Sequence, residues 1–209
     1  KSLLIMPPKN SINKISRFDE STFIESMKKY KKEFDEIYFC VDQISFKNDL
    51  WINNLKKNNI KYIVGAHSLD SNSLLRTKVI FQHFEYIHSP VIGSALVYAA
   101  LDGCKVSLSE DYLEYRIEDY LDHPLYKTKR EYLEYEIYTK SKKFIENKFK
   151  FLFINPSKSK QMVNWAKKEL GFKYKVNFEK IEKILGWRLR DKLKFYPMKY
   201  YNSLNRLLK

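Results

Sequence analysis

The sequence predicts an open, doubly wound, Rossmann-like α/β sheet, mostly parallel, over residues 1–110, followed by a helical C-terminal extension over residues 111–209. Three observations carry this reading. Short apolar runs without polar alternation recur about every 20–35 residues, the repeat of a βα unit, and such runs suit strands buried on both faces. The segments between them place apolar residues at helical spacing. After about residue 110 the strand runs give way to Tyr-, Glu- and Lys-rich helical sequence.

Taken in order, "LLIM" (Leu3 to Met6) is the first strand and stops at Pro7-Pro8. Phe23, Met27, Tyr30 and Phe34 follow at helical spacing, then "IYFCV" (Ile37 to Val41), a helix carrying Trp51 and Leu55, and "YIVG" (Tyr62 to Gly65). Leu75, Val79 and Phe84 mark the next helix, "YIH" (Tyr86 to His88) the fourth strand, the small-residue stretch Gly93 to Leu101 another helix, and "KVSL" (Lys105 to Leu108) the fifth strand. In the extension, "KFLFINP" (Lys150 to Pro156) predicts one more strand. Gln161 to Leu170 and Phe178 to Leu185 predict helices ended by Gly171 and Gly186.

Composition excludes several classes. The chain has 209 residues, 44% of them hydrophobic, enough for a packed core of one domain or two small ones. The longest near-unbroken apolar run, "SALVYAAL", falls far short of the roughly 18 residues that span a bilayer. Cys40 and Cys104 each sit inside an apolar run and read as small core side chains, which fits a reducing cytoplasm. No spacing of His, Cys or carboxylates reads as a metal site, and no cofactor is implied. The net charge of +14 is uneven, +3 over residues 1–110 and +11 over residues 111–209. That balance suits nucleic acid, an anionic membrane or a phosphorylated substrate.

In an open α/β sheet, ligands bind beyond the carboxyl ends of the strands, where strand order reverses. The residues following the strands are therefore the candidates: Pro7 to Asn10 after the first, Asp42 and Gln43 after the second, Gly65 to Ser68 after the third, Ser89, Pro90, Gly93 and Ser94 after the fourth, and Ser109 and Glu110 after the fifth. The strongest local signal is "IHSPVIGSALVYAALDGCKVSL" (Ile87 to Leu108), in which Gly93-Ser94 opens a helix directly after a strand. Free amides at that start, the Ser94 hydroxyl and the missing Cβ of Gly93 make an anion site suited to a phosphate or diphosphate. His67 follows a strand and precedes Asp70, which places a titratable ring where it can meet a phosphate or a leaving group.

The block resembles the C-terminal, nucleotide-sugar-binding half of GT-B type glycosyltransferases. "GAHSLDSNSLLRTKVIFQHFEYIHSPVIGSALVYAALDGCKVSL" is similar to bacterial capsule and lipopolysaccharide biosynthesis proteins, which pair a Gly/Ala-His turn with a Gly-Ser helix start. On this sequence the pattern falls on Gly65, His67, Asp70, Ser89, Gly93, Ser94 and Tyr98. The resemblance implies that Gly93 and Ser94 hold the donor phosphates, that Ser89, Asp70 and Tyr98 line the nucleotide-sugar site with Lys9 and Asn10 nearby, and that His67 assists catalysis. It also implies a glycan or lipid-linked acceptor and a separate N-terminal half that this chain does not contain. Two departures stand out: one half where the family has two, and only a loose match of "SEDYLEYR" (Ser109 to Arg116) to the Glu-rich donor motif of retaining members.

The last 23 residues, 187–209, combine Trp, Tyr, Phe and Leu with seven basic side chains and predict an amphipathic segment able to lie on an anionic membrane from the cytoplasmic side. Two other functions fit the same composition: a nucleic-acid-binding module using the basic C-terminal face, and a non-catalytic partner-binding domain. No nucleic-acid-binding motif supports the first.

Overall fold

A computed structural model describes residues 1–8, 19–49, 51–67, 69–120 and 127–186. Five parallel strands, β1 (Ser2–Ile5), β2 (Glu36–Val41), β3 (Lys61–Val64), β4 (Tyr86–Ser89) and β5 (Lys105–Leu108), form one sheet in the order β3-β2-β1-β4-β5. The chain steps outward from β1 through β2 to β3, then returns past β1 to build β4 and β5. Strand order therefore reverses between β1 and β4.

Each strand reads as a buried apolar run because both faces of the sheet are covered. On one face Leu3, Ile5, Phe39 and Val41 pack with Phe23, Ile24 and Met27 of α1 (Glu20–Met27) and with Trp51, Ile52 and Leu55 at α3 (Ile52–Lys57). The alternate residues Leu4, Cys40, Ile87, Val106 and Leu108 face the other side and pack with α5 (Ser94–Leu101). α4 (Ser73–Gln82), from the β3–β4 connection, adds Phe81 to that same core. The doubly wound α/β architecture is thus the one the periodicity predicts. Both cysteines are buried and unbridged, and burial pushes the Cys104 thiol up to about 11.

Local chemistry sets the helix starts. Asp19 accepts from the Ser21 and Thr22 amides at the head of α1, and Asp42 accepts from Ile44 and Ser45 at the head of the short α2 (Gln43–Lys47). Trp51 precedes α3 at φ 72°, a conformation a bulky residue rarely adopts. The Glu20 carboxylate holds it there, accepting from the Trp51 amide at 2.9 Å and from the Asn54 side chain at 3.2 Å.

Residues Lys1–Leu170 form one compact unit and Gly171–Lys209 a second. Within the first, α6 (Arg130–Thr139), α7 (Lys142–Phe149) and α8 (Val163–Glu169) follow β5, and Ile145, Phe149, Leu152 and Ala166 complete the core on the α5 side of the sheet. The strand predicted over Lys150–Pro156 is not formed. That segment is a 3-10 turn over Lys150–Leu152 and another over Pro156–Lys158, touching β5 through a single bridge between Phe153 and Leu108. Leu152 turns wholly inward, Pro156 has no amide to continue a ladder, and the Asn155 side chain caps the following turn by accepting from the Ser157 amide. An apolar run that covers a sheet edge has the composition of a strand without its pairing.

In the second unit, α9 (Phe178–Leu185) is capped by Asn177 and ends at Gly186 in the left-handed conformation. The basic aromatic segment 187–209 lies outside the described residues. No helix among the described residues is long and apolar enough to cross a membrane.

Candidate functional site at the strand-order reversal

The reversal brings the carboxyl ends of β1 and β4 side by side. The Met6 amide donates to the His88 carbonyl at 2.8 Å, extending the pairing one residue beyond β1. Ser89, 4% exposed, stitches the turn that follows. Its hydroxyl lies 2.8 Å from the Val91 carbonyl and 3.1 Å from the Met6 carbonyl, sharing its single hydrogen between them, and accepts from the Val91 amide at 3.3 Å. Ser89 thus serves the backbone of the turn. Ser89→Ala is expected to cost about 1 kcal/mol in urea-unfolding free energy, because the hydroxyl's half-buried backbone partners are left without it. Lys9 and Asn10, expected next to this point, lie outside the described residues.

The turn delivers the chain to α5. Gly93 is its N-cap at φ −162° and ψ 168°, with no side-chain cap, so the amides of Ser94 and Ala95 have no acceptor within the helix. Gly93 and Ser94 are exposed. Among the described residues, a Cβ placed on Gly93 would meet no heavy atom within 4 Å. The described residues therefore leave open space in front of a positive helix terminus. Residues 109–113 strap this turn from beside it. The Ser109 amide donates to the Ser89 carbonyl at 2.9 Å, the Leu113 amide to the Pro90 carbonyl at 2.8 Å, and the Tyr112 hydroxyl accepts from the Ile92 amide at 3.4 Å. Tyr112 is itself buried, and desolvation raises its phenol to about 12, so it stays neutral.

Beneath the reversal, on the α1 face, sits a residue that no sequence motif marks. His88 is 1% exposed, its Nδ1 lies 2.8 Å from the Ser107 hydroxyl, and the Tyr30 ring meets it edge-on at 5.4 Å. Its Nε2 is buried and has no hydrogen-bond partner among the described residues. Burial, with a smaller push from the Lys29 charge, holds the imidazole down to about 3. A Ser-His pair at hydrogen-bond distance has the look of a nucleophile and its base. With Ser107 at 0% exposure and His88 at 1%, no substrate reaches it, and its role is structural. The one sequence signal was the matched alternation of "YIHS" and "KVSL", which turns both polar residues to the same face.

His67 and Asp70 stand elsewhere on the same edge of the sheet. β3 is the outermost strand, so its carboxyl end is three strand spacings, about 14 Å, from that of β4. The His67 Nδ1 accepts from the Leu69 amide at 3.1 Å, and the Asp70 carboxylate accepts from the Asn72 amide at 2.9 Å as the chain turns into α4. Arg76 donates to the Val64 carbonyl at 3.2 Å. Tyr98, one turn along α5 from Ser94, lines a cleft of about 230 Å³ between α4 and α5 with Leu74, Lys78 and Leu101. A larger apolar cleft of about 800 Å³ lies along α4 against Tyr38 and Ile63, away from the reversal. Glu36, Arg76 and His83 stand on its walls; the Glu36 carboxylate is taken up by Lys61 and the Arg76 guanidinium by the Val64 carbonyl. Among the described residues no group of three His, Cys, Asp or Glu side chains is arranged to hold a metal ion. Of the predicted site residues, the structure thus gathers Ser89, Gly93 and Ser94 at the reversal, and sets His67 and Asp70 at the β3 edge and Tyr98 between helices. No protein-family model, curated protein or solved structure matches the chain.

Proposed function

We propose that this chain is the donor-binding half of a glycosyltransferase, taking a nucleotide sugar as donor in the assembly of a bacterial surface polysaccharide. The observation that carries the reading is the open start of α5 at the strand-order reversal, where Gly93 leaves room and the Ser94 and Ala95 amides have no intrahelical acceptor. In glycosyl transfer the bond from the anomeric carbon to the phosphate oxygen of the nucleotide breaks and a bond to an acceptor hydroxyl oxygen forms. The electron pair leaves with the nucleotide phosphate, the acceptor proton passes to a base, and fixed amide donors stabilise the charge that develops on the leaving phosphate. On this reading His67, beyond the outermost strand β3 and three strands from β4, meets the nucleoside end of the ligand rather than the bond that breaks. The resemblance of the Gly65-to-Leu108 block supplies the sugar-nucleotide class.

A thermal-shift panel of UDP-, GDP-, CMP- and dTDP-linked sugars tests it on the wild-type chain and on Ser94→Ala. One nucleotide family at about 100 times its Kd should stabilise the fold by about 2.7 kcal/mol, a shift of about 5–10 °C for a chain of this size, and Ser94→Ala should weaken that response. If every nucleotide leaves the melting temperature in place while an oligonucleotide raises it in a salt-dependent way, the basic surface serves nucleic acid and the transferase reading is wrong.

A further inference from the structure

Beyond the carboxyl end of β5, next to the strap that braces the α5 start, lies a polar groove of about 590 Å³ lined by Glu110, Lys142, Glu146, Asn147, Lys150 and Phe153. Its walls are tied together. The Lys142 ammonium donates to the Glu110 carbonyl at 2.7 Å and lies 3.7 Å from the Glu146 carboxylate, while the Lys142 amide donates to the Glu114 carboxylate at 2.7 Å. Those contacts lock α7 onto residues 110–114, the same stretch that holds the β4–α5 turn. Phe153, packed on Tyr112 at 5.8 Å, supplies an aromatic wall. The Glu110 carboxylate, the Asn147 amide and the Lys150 ammonium have no side-chain partner among the described residues.

We infer that this groove binds a neutral saccharide, and, resting on the donor-half reading above, that it holds the acceptor sugar beside the nucleotide site. Two lysines and two glutamates leave the groove without a net field, so neither a phosphate nor a polycation is selected by charge. A ligand that wants acceptors, donors and an amide at once, with an apolar C–H face for a ring, is a polyhydroxylated sugar. The volume of about 590 Å³ lies in the range of small-molecule sites. β4 and β5 are neighbours at about 4.8 Å, so the groove and the α5 start flank one another along the same edge of the sheet.

Saturation-transfer difference NMR on the full chain, with the methyl glycosides of glucose, galactose and N-acetylglucosamine as probes, decides the matter. At least one glycoside should receive saturation, and Asn147→Ala and Lys150→Ala should each weaken its binding about fivefold, the loss of one net hydrogen bond. Lys143→Ala, exposed on α7 outside the groove, should not. Absence of transfer from every glycoside, or transfer equal in both groove variants and wild type, overturns the inference. The nucleotide panel separates the two proposals. Glycoside binding without nucleotide stabilisation leaves a sugar groove and removes its acceptor role, whereas nucleotide stabilisation without glycoside binding removes the groove alone.

Discussion

Gly93→Val should fold like the wild type and lose the nucleotide response altogether. Glycine at this position is not demanded by the backbone, because φ −162° and ψ 168° is extended geometry open to any residue. Nor is it demanded by packing among the described residues, which leave the space around its Cβ position empty to 4 Å. The cost to the fold is then confined to a poorer N-cap, about 1 kcal/mol or less, a drop of about 2–4 °C in melting temperature. The isopropyl group, however, occupies the space in front of the Ser94 and Ala95 amides that a phosphate must enter. The expected 5–10 °C nucleotide shift should vanish, with Gly93→Ala falling between. A nucleotide shift that persists undiminished in Gly93→Val would place the phosphate somewhere other than the α5 start and remove the observation on which the function rests.

The second large effect is acid destabilisation through His88. Its imidazole is held down to about 3 in the folded chain, against an ordinary value of 6.5. Below pH 6.5 the unfolded chain therefore binds a proton that the folded chain refuses, and stability falls as pH falls toward 3. Between pH 7 and pH 5 the loss amounts to about 2 kcal/mol, or about 4–8 °C. The lowered carboxylates at Asp19, Glu33, Asp35, Glu36 and Glu85 act in a separate window. Their stabilisation is complete above the ordinary carboxylate values of 3.8 and 4.5 and is lost only as pH drops through and below them. Urea unfolding at pH 7, 6 and 5 isolates the histidine. His88→Gln, which keeps an amide near the Ser107 hydroxyl but cannot titrate, should flatten the slope in this interval whatever it does to the absolute stability. A slope unchanged in His88→Gln would assign the effect to other groups.

The two effects act on opposite sides of one structural point. His88 and Ser89 are consecutive residues of β4 facing opposite ways, one into the α1-side core and one into the turn before α5. Acid loosening of β4 should therefore be felt at the α5 start as well, so nucleotide binding is best measured above pH 6.5.

Much of this was legible in the sequence, and the reasons are local. Strands buried on both faces must be short and continuously apolar, so "LLIM", "IYFCV" and "KVSL" announced themselves. The Gly93-Ser94 helix start was legible because a glycine and a serine between a strand and a run of small residues can hardly be anything else. What the residues could not reveal is non-local. Strand order depends on how the whole chain winds, and it alone put β1 beside β4 and β3 at the edge, gathering Ser89 and Gly93 while leaving His67 three strands away. The pairing of His88 with Ser107 and the strap of Tyr112 over Ile92 join residues 19 and 20 positions apart through space. The run at Lys150–Pro156 has a strand's composition, but it became an edge cover because pairing is decided by the neighbouring backbone and not by the hydrophobicity of the segment itself. Local composition dictates which segments are buried; the winding of the chain sets which of their ends meet, since burial is a property of single residues whereas a site is a property of their neighbours.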